Sequence, residues 1–128
     1  DNRNGQDFRN KGDIMEEFRL SFQNEKENVS LIRLSASFVA MKCGFSVDDI
    51  EDIKLCASEC LNLQRNRSKI IDCTMTIDEE SLTLIFKLDG SNPRENNEKD
   101  KISEMIIQSL MDEYEINGSE IKVIKNRK

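Results

Sequence analysis

The sequence predicts an α+β domain: a two-layer sandwich in which a mostly antiparallel sheet is covered on one face by three helices. Three observations predict it. Four segments alternate apolar and polar residues with the period of a strand, and three others carry apolar residues at helical spacing. Two of the strands follow one another across a short acidic turn, which makes a hairpin. Strands grouped this way, with amphipathic helices to cover one face, give the order β-α-α-β-β-α-β.

Taken in order, residues 1–15 are expected to form a flexible leader, because DNRNGQDFRNKGD is polar and aperiodic. Residues 16–128 are expected to form one domain, a length that can bury a core. In EFRLSFQ (Glu17–Gln23), Phe18, Leu20 and Phe22 alternate with polar residues, which predicts a strand. Asn24–Asn28 is a polar loop. Val29–Cys43 is a helix with Leu31, Ile32, Ser35, Phe38 and Val39 on one face, capped by Asn28 and stopped by Gly44. Ser46 opens a second helix with Asp48 and Asp49 in its first turn, where negative charge is favoured. Its apolar stripe is Ile50, Ile53, Leu55, Cys56, Cys60 and Leu63.

Lys69–Asp78 and Ser81–Leu88 are the hairpin strands, with Glu79 and Glu80 in the turn. Gly90–Asp100 is a loop holding the single proline. Lys101–Glu115 reads as a third helix with Ile102, Met105, Ile106, Ser109, Leu110 and Tyr114 on one face, ended by Asn117-Gly118. Glu120–Ile124 reads as a last short strand.

Composition narrows the function. The 128 residues are 34% charged with a net charge of -6, and basic residues cluster only in the tail Lys122–Lys128. This argues against direct nucleic-acid binding and is compatible with a basic protein partner. There is no histidine and no C-x-x-C pair among the four cysteines. That removes histidine-based triads and Cys/His zinc sites, so no metal is expected, and the thiols read as buried and reduced in a cytoplasm. No apolar run approaches membrane-spanning length.

Local sequence adds a resemblance. IRLSASFVAMKCGF (Ile32–Phe45), VDDIEDIKLCASE (Val47–Glu59) and LMDEYEI (Leu110–Ile116) are similar to segments of the anti-sigma-factor serine kinases of the GHKL (Bergerat-fold) ATPase superfamily. Those proteins are stress and sporulation regulators of Gram-positive bacteria. The resemblance covers roughly Glu16–Lys125. It implies a histidine-kinase-like ATPase fold and three nucleotide-binding boxes.

In the first box the family has a catalytic glutamate, and an asparagine four residues later that holds Mg²⁺. Glu59 matches the glutamate. Leu63 stands where the asparagine should be, and Asn62 falls one position early, turned by about 100° on a regular helix. An apolar side chain cannot ligate Mg²⁺, which requires oxygen ligands. The second box, D-x-G-x-G, meets Leu88-Asp89-Gly90-Ser91-Asn92. Pairing Gly90 with the first glycine puts Leu88 at the aspartate, and pairing Asp89 with the aspartate puts Ser91 at the first glycine. The third box, G-x-G at the start of the last helix, meets Lys101-Ile102-Ser103-Glu104 and has no glycine for phosphate binding. The lid loop, about Ser91–Asp100, is short for the family.

The resemblance therefore implies a binding protein with a vestigial nucleotide pocket (Glu59, Asn62, Leu63, Asp89, Gly90) that needs no cofactor. Its implied partner is a sigma factor or an anti-anti-sigma (STAS-domain) protein, contacted through Arg33 on the first helix. Pairing as a homodimer near Phe18, Leu20 and Phe22 is also implied. The alternative is an active serine kinase that uses ATP and Mg²⁺, with Glu59 as base and an anti-anti-sigma protein as substrate. A third reading is a sensor of a different small ligand.

Overall fold

The structure is a computed structural model and describes residues 14–89 and 97–127. The expected leader up to residue 13, Gly90 and the lid stretch 91–96 lie outside the described residues.

The chain runs β1 (Glu16–Gln23), a 3₁₀ turn (Lys26–Asn28), α1 (Val29–Cys43), α2 (Val47–Leu63), β2 (Ile70–Ile77), β3 (Ser81–Leu88), α3 (Glu98–Leu110), β4 (Glu113–Ile116) and β5 (Glu120–Asn126). All four strand pairings are antiparallel, in the order β1-β2-β3-β5-β4. Among the described residues the sheet thus has five strands rather than four, and β1 and β4 are its edges.

Strand periodicity decides which face is covered. Ile71, Cys73, Met75, Leu82, Leu84, Phe86, Ile121 and Val123 are buried, while Thr74, Thr76, Thr83, Ile85 and Ile124 between them are only partly covered. The helices supply Ile32, Ala36, Val39, Ile53, Cys56, Cys60, Leu63 and Ile107 to the same core. Lys125 ties the layers together. Its buried ammonium donates to the Leu110 carbonyl at 2.6 Å and lies 3.6 Å from Asp52 and 3.9 Å from Asp49 in the first turns of α2.

The ends of α1 and α2 follow their sequence signals, with one exception. Ser46 accepts a hydrogen bond from the Asp49 amide at 3.1 Å. Gly44 takes φ 87°, the left-handed conformation that ends α1 without a Cβ penalty. Asn28 does not cap α1; its amide donates to the Gln23 carbonyl instead, at 2.7 Å. Asp78 builds the hairpin turn by accepting from the Glu80 and Ser81 amides, both at 2.7 Å.

Several expectations are corrected. The third helix stops at Leu110, five residues early, and Glu113–Ile116 is an edge strand paired with β5. Asn117-Gly118 is the turn of that β4–β5 hairpin, with Asn117 accepting from the Ser119 and Glu120 amides. Tyr114 therefore lies on a strand, not on a helix. The buried face of α3 is Asp100, Ser103 and Ile107, leaving Ile102 and Met105 exposed. On α1 the buried face runs through Ala36 and Ala40, while Leu31 and Phe38 are exposed; Leu55 of α2 is exposed as well.

Candidate functional site

The geometry of Glu59 follows from the register of α2. Ile53, Cys56, Cys60 and Leu63 point into the core, which leaves Glu59 and Asn62 on the flank facing α3. Leu63 is 0% exposed, so position 63 is directed into the core. Asn62 does not follow it. Its amide donates to Glu59 Oε1 at 3.2 Å, and its oxygen accepts from Arg65 at 3.1 Å. Residues three apart on a helix are neighbours. The one-residue slip thus turns Asn62 away from the direction of position 63 yet leaves it touching Glu59, a contact that the sequence reading passed over.

Glu59 has a second partner from the opposite wall. Ser103 Oγ, on the buried face of α3, donates to the same Glu59 oxygen at 2.8 Å. One helical turn earlier Asp100, also buried, pairs with Arg67 at 2.9 Å, and both side chains are about nine-tenths covered. Arg67 also donates to the Leu63 carbonyl at the end of α2. Asn97 caps α3 by accepting from the Asp100 amide at 2.9 Å. Between the helices lies a cleft of about 600 Å³ lined by Asn62, Arg65, Arg67, Asn97, Lys99 and Asp100, among others. Its wall is crossed by protein–protein contacts at two heights, Glu59–Ser103 and Arg67–Asp100.

The second-box residues lie at the far end of the hairpin. Asp89 is exposed and accepts from the Ile70 amide at 3.3 Å; Leu88 packs against the core. A separate polar groove of about 850 Å³ runs past Asp89, Asn24, Lys69 and Arg67. Asn66 borders both clefts and takes φ 67°, a left-handed conformation that asparagine tolerates. The structure therefore joins Glu59 and Asn62 and leaves Asp89 apart from them.

Arg33 lies on the opposite side of α2. It donates to Ser58 Oγ at 3.2 Å, and Ser58 in turn donates to the Lys54 carbonyl. Beside Arg33, Leu34 is 71% exposed, and Phe38 and Met41 continue the apolar surface along α1. The surface extends to the sheet edge, where Phe18 of β1 meets Phe38 edge-on with ring centroids 6.2 Å apart. Lys42 sits over both rings, at 5.5 and 5.8 Å. A shallow groove of about 370 Å³ follows Phe18, Leu20, Leu34, Phe38 and Val39.

The chain is similar to the serine-protein kinase RsbW of Bacillus cereus, 30% identical over 108 residues, which covers 80% of this chain and 68% of that protein. The chain belongs to the RsbW family. RsbW of Bacillus thuringiensis subsp. konkukian matches to the same extent. RsbW of Halalkalibacterium halodurans is 27% identical over 122 residues, covering 79% of this chain and 75% of that protein. No general family model matches the chain.

Within this RsbW-family chain the cysteines are interior groups. Burial, and then the neighbouring Cys56 thiol, hold Cys60 well above its ordinary range. Burial pushes Cys73 up from 9.0 to about 12. Burial also raises Cys43, partly opposed by Arg127. Thiols held protonated this way are poor nucleophiles and poor metal ligands. Among the described residues no group of three or more Cys, Asp or Glu is placed to hold a metal ion, and no helix is long and apolar enough to cross a membrane.

Sequence reasoning missed Arg67, Asp100 and Ser103. Arg67 and Asp100 are 33 residues apart, and no local pattern joins them. The one available signal was the placement of the polar Asp100 and Ser103 on the same helical face as Ile107, which a search for apolar periodicity passes over.

Proposed function

We propose that this RsbW-family chain is an anti-sigma-type regulatory binding protein on a Bergerat-like fold with a short lid, and that its nucleotide pocket is degenerate. The observation that carries the reading is Leu63. It occupies the position where the resemblance calls for a Mg²⁺-holding asparagine, and it is fully buried. A hydrocarbon side chain facing the core offers no oxygen to an ion, so the residues present do not fit Mg²⁺–ATP as the family holds it. The absence of glycines from 101 to 104 and the Arg67–Asp100 pair across the cleft support the same reading.

The proposed partner is a sigma factor or a STAS-domain anti-anti-sigma protein in the cytoplasm, within stress or sporulation control. Arg33 and the apolar surface of α1 beside it are the proposed contact. A homodimer through the exposed edge β1 fits the same end of the molecule, because an unpaired edge strand offers free backbone hydrogen-bonding groups.

A second reading, an active serine kinase with Glu59 as base, is favoured by one specific observation: Asn62 is hydrogen-bonded to Glu59 and lines the cleft. Its phosphate acceptor would be an anti-anti-sigma protein.

Co-purification with the cognate sigma factor tests the first reading. Capture is expected to persist in Glu59→Ala and to fall at least about tenfold in Arg33→Ala, the loss of one charged interface contact. Equal capture by Arg33→Ala, or loss of capture in Glu59→Ala, contradicts the assignment.

A further inference from the structure

The inner face of α3 places two chemical groups against α2. One is an anion, the Asp100 carboxylate, held by Arg67 at 2.9 Å. The other is a serine hydroxyl, Ser103 Oγ, donating to Glu59 at 2.8 Å. They stand one helical turn apart on the same helix and are both buried. A phosphoryl-transfer pocket of the kind proposed above would handle the same two groups, a phosphate anion and an attacking hydroxyl.

We propose that the first turns of α3 act as an internal plug, in which Asp100 stands in for a phosphate and Ser103 for a substrate hydroxyl, so that the cleft excludes small polyanions. The proposal rests on the degenerate-pocket reading and deepens it by naming what fills the pocket.

The electrostatics favour this arrangement. Among the described residues that line the cleft, Arg65, Arg67 and Lys99 give it a cationic wall and Asp100 is the carboxylate. A guanidinium with little access to water binds an oxyanion strongly, and an intramolecular carboxylate competes with dissolved anions at very high effective concentration. The α3 N-terminus, the other element that would favour an anion, is already capped by Asn97. Removing the Asp100 charge while keeping its shape would leave Arg67 facing a neutral amide in a cation-lined cleft. That cleft should then accept an external anion.

The test uses inorganic pyrophosphate without Mg²⁺ as probe and the melting temperature as readout, in the wild type, Asp100→Asn, Ser103→Ala and the double variant Arg67→Gln/Asp100→Asn. Asp100→Asn is expected to gain a saturable rise of about 4 °C at tenfold excess over its Kd. The wild type, Ser103→Ala and the double variant are expected to show no such rise. If Asp100→Asn does not fold, Asp100→Ser replaces it with the same expectation. A rise in the wild type equal to that of the Asp100 variant, or no rise in any Asp100 variant that folds, overturns the plug. A wild type that responds to Mg²⁺–ATP would count against both the degenerate-pocket reading and the plug, whereas a silent wild type beside a folded Asp100 variant that also stays silent with pyrophosphate overturns the plug alone, so the two failures are distinguishable.

Discussion

The two ends of the helical layer satisfy their side chains in opposite ways. In the cleft between α2 and α3, polar groups meet across the gap: Glu59 holds Ser103, and Arg67 holds Asp100. On the outer surface of α1, apolar groups face solvent: Leu34, Phe38 and Met41 project beside Arg33 and continue to the edge strand β1. A monomer gains nothing from exposing such a stripe, whereas a partner that covers it gains apolar burial. The contrast teaches that where the resemblance implies chemistry the chain's own polar residues pair across the cleft, and where it implies binding the apolar side chains stay exposed.

The largest expected effect comes from forcing the closed region back toward the family pattern. Leu63→Asn puts the asparagine where the first box wants it, but at a fully buried site. It should lose about 3 kcal/mol of stability, from lost apolar burial together with an unsatisfied amide. Urea unfolding measures this. A variant that keeps its stability and gains a response to Mg²⁺–ATP would break the comparison, because the pocket would then be one substitution from function.

An intermediate effect belongs to the interior that both regions share. Cys73 has its folded pKa raised from 9.0 to about 12 by burial. A group raised this way contributes stability that is fully present below its unfolded pKa and is lost as pH rises toward the folded value. Stability should therefore fall between pH 9.0 and about 12. Cys73→Ala should be less stable at neutral pH, with a shallower alkaline fall, as read from urea midpoints at successive pH values. An alkaline fall of unchanged steepness would remove this thiol from the account.

The smallest effect on stability is expected on the open surface. Leu34→Glu should change stability by less than about 0.5 kcal/mol, because an exposed helix position carries little packing. The same change should weaken partner capture, since a charge then faces an apolar contact. If it instead unfolds the protein, or leaves both stability and capture untouched, the α1 stripe is not a docking surface.

Much of the fold was legible in the sequence, and the failures share a cause. β1, α1, α2 and the β2–β3 hairpin announce themselves through alternation, Ser46, Gly44 and the acidic turn. The end of α3 did not, because Tyr114 falls four residues after Leu110 and so also fits a helical spacing. The Asn117-Gly118 pair, taken as a helix stop, is a hairpin turn, and the alternation in Glu113–Ile116 was its other half. The expected faces of α1 and α3 held at Ile32, Val39 and Leu110 but missed several buried positions, because size and partners decide burial as much as hydropathy does. Ala36 and Ala40 are fully buried although they are small, and Asp100 and Ser103 are buried because Arg67 and Glu59 receive them. At the candidate site the sequence identified Glu59, Asn62 and Leu63. The residues that close the cleft come together only through the tertiary fold.

The most direct test of that closure is the melting temperature of the wild-type protein titrated with Mg²⁺–ATP into the millimolar range. A ligand bound only by the folded state must raise it. Closure from within predicts no saturable rise and a change of less than about 1 °C, which corresponds to a site less than half occupied at millimolar nucleotide. A saturable rise of several degrees would mean that the cleft still accepts nucleotide, and would contradict it.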